Sequence, residues 1–340
     1  MFGLLLLAMV QIIVEVLPIS SSGHMRLAAM VADYVGYPLS ELPLYCDELL
    51  HGFTLVAVLL YFRRLWVPVV VRLWEVVGVW RAGEALRDTQ KKLLQLVLRL
   101  AGWVTVSTVI TVVGYSIIKL SGVGDVLVAP LVLAVGFCIT GIVLVICPLF
   151  LGSSSRRPST GLRLSGSGVA SDQKNDADVH SREEKVAMEK LAHPELVEIQ
   201  DASPEWAKPD RARKSEAHCK TIVIALAQVA ACLLPGVSRF AMTVFAAIAL
   251  GTSPRRAVQW SWLIFVPLML GASVIHGVGR CLLADGNWFV FAPGFFVGCM
   301  LATSISYVLF ALVMRLFQRR QSWILGLYML VPLLLLMLIS

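Results

Sequence analysis

The chain reads as an all-α integral membrane protein, an inverted-topology repeat of about six transmembrane helices and two re-entrant helical hairpins. Three observations predict this. Apolar residues fill 58% of the 340 positions and mean hydropathy is +0.79, with several runs near the roughly 20 residues that span a bilayer as helix. Two short stretches look like copies of one another. Gln11 to His24 and Gln228 to Phe240 each place a glutamine seven residues before the proline of a Leu-Pro step, and a serine three residues after it. Basic residues, finally, cluster in short loops between apolar runs, as topological charges do.

Residues 1–17 form an apolar helix too short to cross alone, and Pro18 breaks it. The N-terminus has neither a basic n-region nor a small-residue cleavage site, so this stretch is expected to stay in the mature protein. A second apolar piece at 25–36 makes a re-entrant hairpin with the Ser-rich turn at its tip. The segment 49–62 crosses and stops at Arg63-Arg64; 65–80 carries Arg72 and Glu75 and is placed as an interfacial or shallow helix. A basic loop at 81–92 leads to spans at 93–118 and 127–151, joined through Ser121 to Asp125. Apolar sequence resumes at 221–234, breaks at Pro235-Gly236, and resumes at 240–251, a second hairpin. Spans at 257–276, 289–314 and 323–339 complete the chain.

Between the halves lies different material. Residues 152–219 hold 12 of the 22 acidic and 11 of the 29 basic side chains, a net of −1; the remaining 272 residues hold 18 basic and 10 acidic, a net of +8. The segment is Ser/Gly-rich, then charged, and lacks an apolar face for a core. It is expected to be a disordered cytoplasmic insertion, with 182–200 its best helical candidate. The chain thus divides into a first membrane half (1–151), the insertion (152–219) and a second membrane half (220–340). The positive excess elsewhere anchors helix ends and gives no reason to expect a nucleic-acid partner. Seven cysteines (Cys46, Cys138, Cys147, Cys219, Cys232, Cys281, Cys299) show no CxxC or zinc spacing and read as small core or lipid-facing residues. Placing Arg63-Arg64, the 81–92 loop, Arg255-Arg256 and Arg315 to Arg320 on one side requires six crossings and two hairpins that return to their own side. The hairpins then enter from opposite faces, the arrangement in which transporters build a site where broken helices meet.

Ionisable and hydroxyl groups at such breaks are costly in a bilayer, and a functional site is the default reading. Gln11 and Glu15 stand at i, i+4 on one face. After Pro18 come Ser20, Ser21, Ser22, Gly23 and His24; hydroxyls and turn amides there can cradle phosphate oxygens as a helix N-terminus does. Glu15 can act as general base or, with Gln11, hold a divalent cation, and His24 can relay a proton or attack phosphorus. The second break supplies Gly236 for close backbone approach, then Ser238, Arg239 and Thr243, where an arginine beside hydroxyls suits the charge of a transferred phosphoryl group. Blander readings stand beside these. The serines can simply satisfy broken-helix carbonyls, Gln11 can pair with Gln228, and Glu15 with Arg239, each unpaired membrane charge costing at least roughly 2.5 kcal/mol. The pattern supports an anion site without naming the anion.

The motifs resemble those of the undecaprenyl-diphosphate phosphatase, or bacitracin-resistance, family. Gln11-Ile-Ile-Val-Glu15, Leu17 to His24 and Pro235-Gly-Val-Ser238-Arg239-Phe240-Ala-Met-Thr243 carry the resemblance. His51 to Arg64 and Ser261 to Pro267 support it. It implies removal of the terminal phosphate from a C55 isoprenoid diphosphate, which recycles the lipid carrier of envelope synthesis. It also implies a divalent cation (Mg²⁺ or Ca²⁺), a bacterial plasma membrane setting and a site open to the outer face. By position it makes Glu15, Ser21, His24 and Arg239 the essential residues. Ser20, Ser22, Gly236, Ser238 and Thr243 would bind phosphate, and Gln11 with Glu15 the metal. Three departures stand out: Phe240 where the family has serine, Ile12 where it has glycine, and the long insertion. A polyprenyl-phosphate carrier using the same repeat is the alternative, and a paralogue silenced by Phe240 a third. Small residues across 289–306 would permit a homodimer.

Overall fold

All regular structure among the described residues is helical, as expected for a chain that must satisfy its backbone within each bilayer-crossing segment. The computed structural model describes residues 2–36, 44–121, 129–153, 214–278 and 293–339. The 182–200 candidate and most of the expected insertion lie outside these residues. The described part of that segment, Lys214 onward, already belongs to a helix.

The helices are α1 (Phe2–Glu15), α2 (Ser21–Tyr34), α3 (Leu44–Tyr61), α4 (Arg63–Arg81), α5 (Asp88–Leu120) and α6 (Pro130–Ser153) in the first half. The second half has α7 (Lys214–Leu233), α8 (Arg239–Ala249), α9 (Pro254–Gly271), α10 (Pro293–Gln318), α11 (Trp323–Tyr328) and α12 (Leu330–Ile339). Four of them, α5, α6, α9 (continued to Val274) and α10, are long and apolar enough to cross a bilayer, and a fifth span results if the bent α3–α4 pair counts as one. The sixth expected span, 323–339, is apolar and helical, α11 and α12 following one another through Met329, but is shorter than the other four. The basic loop at 81–92 is also shorter than expected, because α5 starts at Asp88 and takes Lys91 and Lys92 into its first turn.

Specific residues end and bend these helices. Pro18 lies just past α1 and Pro235 just past α7, where a missing N–H and a fixed φ cannot continue a helix. Pro254 occupies the first turn of α9, where its missing donor is harmless. Pro267 inside α9 precedes a π-helical turn, Ala272–Val278, that packs on α3. Between α3 and α4 the axis turns by 85°, and α4 exposes Trp66, Trp74 and Trp80. Elsewhere Val106, Val109, Val113 and Ile117 on α5, and Val297, Leu301 and Val308 on α10, form outward apolar stripes at helical spacing.

The pairing of elements is reciprocal between the halves. α1 packs on α10 as α7 packs on α5; α2 meets α12 as α8 meets α6; α3 lies on α10 as α9 lies on α5. Several small residues of α10, among them Ala302, Thr303 and Ser306, face inward in this scheme. A side chain at Gly298 would run into Leu5 of α1, and Ser306 donates through Oγ to the Ile12 carbonyl at 2.8 Å. Ile12, at the family's glycine position, is fully buried in the same contact.

The breaks meet at the centre. A Cβ on Gly23 would stand 2.9 Å from Gly236 Cα, and Gly236 itself, at φ +89°, faces the Leu133 carbonyl of α6. Gly136 of α6 lies opposite, where any Cβ would overlap the Pro235 carbonyl. Backbone meets backbone there, so neither side can swing away. Gly136→Ala is therefore expected to lower the thermal midpoint of the detergent-solubilised protein by the equivalent of about 1–3 kcal/mol. An unchanged midpoint would mean that the α6–hairpin contact is looser than drawn.

Candidate active site

Both hairpins restart their second helix with a serine cap. Ser20 accepts a hydrogen bond from the Gly23 N–H at 3.3 Å, and Ser238 accepts one from Ala241 N–H at 3.2 Å. Ser20 holds φ 66°, a region disfavoured for a residue with a side chain, and its cap and burial hold it there. Thr140 of α6 staples the second break: its Oγ1 donates to the Gly236 carbonyl and accepts from Ser238 N–H, both at 2.9 Å.

The N-termini of α2 and α8 border one open cavity. Ser20, Ser21 and Ser22 line it from the first hairpin, Ser238, Arg239 and Thr243 from the second, and Glu15 from the end of α1. Two helix N-termini, each the positive end of a dipole, thus join a guanidinium around one space. Arg239 is placed by its aromatic neighbour, its Cζ 4.6 Å from the centre of the Phe265 ring. Thr243 Oγ1 donates back to the carbonyls of Arg239 and Phe240, at 3.0 and 3.1 Å, and so stiffens the first turn of α8.

Glu15 is buried, and its partners come from α3. His51 Nδ1 lies 2.6 Å from Oε1, and Thr54 Oγ1 donates to Oε2 at 3.0 Å. The Arg239 charge also acts on it. No direct Glu15–Arg239 ion pair forms among the described residues; His51 supplies the near countercharge when protonated, and Thr54 a hydrogen bond. Gln228 does not pair with Gln11 either, since neither end of its buried amide makes a hydrogen bond.

Three expected site residues lie elsewhere. His24 is not on the cavity wall: Nδ1 meets the Ser20 carbonyl at 2.8 Å, Nε2 meets the Tyr328 hydroxyl at 3.3 Å, and the ring packs between Phe137 and Tyr328. With both nitrogens engaged it secures the turn that carries the serines. Gly236 faces α6, so its lack of a side chain admits helix backbone, where a phosphate was expected. Gln11 stays one turn below Glu15, buried, with no partner for Oε1. Among the described residues no three His, Cys, Asp or Glu side chains gather around a common point.

His51, Thr54, Ser261, Trp262 and Phe265 were not assigned roles from sequence. A signal existed for the first two: they stand at i, i+3 on an apolar helix, a polar face where lipid-facing residues are expected.

Phe240 also lines the cavity, but its ring packs on Trp262 (5.3 Å between centres) and Phe317 (6.3 Å). It is structural wall. Phe240→Ser should lower the thermal midpoint by the equivalent of ~2 kcal/mol and leave turnover no higher than in the parent protein. A gain in turnover would identify the ring as an obstruction.

A profile of the family described as "Bacitracin resistance protein BacA" matches residues 4–176 and 196–334. An undecaprenyl-diphosphatase of Roseobacter denitrificans is 25% identical over 316 residues, 93% of this chain and 90% of that protein. One of Alteromonas mediterranea is 25% identical over 275 residues, 81% and 75% of the two chains. One of Trichlorobacter lovleyi is 29% identical over 119 residues, which cover 34% of this chain and 43% of that protein, less than half its length.

Proposed function

Since the matched residues cover both membrane halves, the chain belongs to the bacitracin resistance protein BacA family, and from that premise we propose that it is an undecaprenyl-diphosphatase. It would hydrolyse the terminal phosphate of a C55 isoprenoid diphosphate, giving the lipid monophosphate and inorganic phosphate. The observation that carries this is the single cavity bordered by two capped helix N-termini, a guanidinium and a buried carboxylate. An anion of high charge fits the first three, and a proton acceptor stands beside them.

The terminal phosphate would lie between Arg239 and the first-turn amides of α2 and α8. Ser21 Oγ attacks the terminal phosphorus, its proton passes to Glu15, and the bond to the bridging oxygen breaks to release the lipid monophosphate. Water then attacks the phosphoserine. The Ser21–phosphorus bond breaks, Glu15 returns the proton to Oγ, and the proton lost by water leaves with inorganic phosphate. Arg239 and the helix amides stabilise the charge that builds on the phosphoryl oxygens. His51 and Thr54 orient the carboxylate. Ser21 is preferred to His24 as nucleophile because Ser21 is on the cavity wall and both nitrogens of His24 are engaged.

Of the two expected cation ligands Glu15 borders the cavity and Gln11 lies one turn below it, so a divalent cation would be held mainly by the phosphates of the substrate. Glu15 and the partnerless Oε1 of Gln11 offer two oxygens on one helical face, short of a full cage but suited to Mg²⁺ held jointly with phosphates. When bound it would neutralise phosphate charge; Glu15 and Gln11 would add the protein's share of its ligands.

The reciprocal helix pairing supports an inverted repeat with re-entrant hairpins, and the 85° turn with its exposed tryptophans supports α4 as an interfacial helix. From the family resemblance we extend to this chain a plasma-membrane setting with the cavity open outward.

The test is phosphate release from lipid diphosphate by the protein in detergent, with divalent cation and with rapid trapping of protein-bound label. Release is expected, with label on the wild type and on His24→Ala but absent from Ser21→Ala. No release under these conditions would sink the hydrolase reading and leave the carrier.

A further inference from the structure

Buried polar groups in folded proteins are almost always hydrogen-bonded, so several orphans on one cavity wall mark a place for a polar ligand. Such a wall faces Arg239 here. The side chain of Gln228 on α7 is 1% exposed, and neither Nε2 nor Oε1 has a hydrogen-bond partner among the described residues. Ser261 on α9 is 4% exposed with Oγ likewise unpartnered, and so is Nε1 of the adjacent Trp262. All three residues line the cavity. Two helices of the second half therefore place an unpartnered amide, hydroxyl and indole N–H in the wall of the space that the charged groups border.

We propose that Gln228, Ser261 and Trp262 form a neutral subsite for the ester-linked phosphate, the one that stays on the lipid; this rests on the hydrolase reading above. The chemistry of the two phosphates differs. The ester-linked phosphate is bridged on two sides and has one ionisable oxygen, whereas the terminal phosphate has two and gains its second charge near neutral pH. The guanidinium and the helix N-termini match the more highly charged group. Uncharged donors match the other: they satisfy its oxygens without a second cation that would hold the lipid monophosphate too tightly to leave. Phe265, one turn beyond Ser261, continues the same wall with an apolar surface on the side from which an isoprenoid chain would depart.

The subsite predicts which product each variant fails to hold. Gln228→Leu keeps the bulk and removes both polar ends, and Ser261→Ala removes only the hydroxyl. Each should raise KM for the lipid diphosphate and the inhibition constant of a prenyl monophosphate by about tenfold, with inhibition by inorganic phosphate unchanged. Neither should lower the thermal midpoint of the ligand-free protein, because each removes a group with nothing to bond. Direct binding of prenyl monophosphate, read as a thermal shift of wild type and variants, needs no turnover and separates this proposal from the hydrolase reading. A shift in wild type that shrinks in both variants supports the subsite even if phosphate release fails. Equal shifts in all three proteins, or inhibition by inorganic phosphate weakened as much as by the monophosphate, would overturn it.

Discussion

Arg239→Ala is expected to lower kcat/KM for phosphate release by on the order of 10³-fold, in line with loss of a charged group that stabilises a phosphoryl transition state. The reason is geometric. Arg239 opens α8, so its charge adds to the positive end of that helix, and Phe265 holds the guanidinium at 4.6 Å against one face of the cavity. Lysine would restore the charge but not the planar fork, so Arg239→Lys should recover only part of the loss. The protein should remain membrane-inserted, since the capping bond of Ser238 and the Thr140 staple do not involve the guanidinium. Turnover and detergent melting measured together check this. Near-normal phosphate release by a folded Arg239→Ala protein would remove the clamp from the mechanism.

The second large effect is expected at Glu15. Glu15→Gln preserves shape and can still accept from Thr54, but it cannot take a proton and loses its ionic attraction to His51. Turnover should fall by on the order of 10²–10⁴-fold, the range for a positioned general base. Stability should fall modestly, because His51 loses its partner in a buried pair. If Glu15 serves chiefly through a cation, a higher cation concentration will restore part of the rate; if it serves as base, added cation will not. Wild-type turnover in Glu15→Gln would place the base elsewhere.

The two breaks were legible in sequence because each carries a proline that ends one helix and a serine that caps the next, all within a dozen residues. The sign of the site was legible for a similar reason, since Arg239 sits beside its own cap. The partners of Glu15 were not. His51 and Thr54 belong to a helix tens of residues away, and local spacing shows that they share a face without showing what that face meets. The fate of His24 was hidden further still, because Tyr328, which occupies Nε2, comes from the other end of the chain. Gly236 signalled close approach correctly, but only the packed α6 shows that the approaching group is helix backbone. Among the spans, 323–339 was legible as an apolar helix, whereas the 85° turn between α3 and α4 was not, because hydropathy carries no axis direction.

That Glu15 is held from α3 bears on the order in which the site is made. Glu15, His51 and Thr54 all lie in the first half, whereas Arg239 emerges from the ribosome 185 residues after Thr54. At roughly 5–20 residues per second that interval is on the order of ten seconds or more. During it the carboxylate already has the His51 ring against one oxygen and the Thr54 hydroxyl on the other, so the nascent first half need not wait in the bilayer with a bare anion. The guanidinium then arrives at a membrane where its counter-charge is in place. Biosynthesis thus supplies the guanidinium, and after it the Phe265 ring that holds it, to a carboxylate whose own partners are already made.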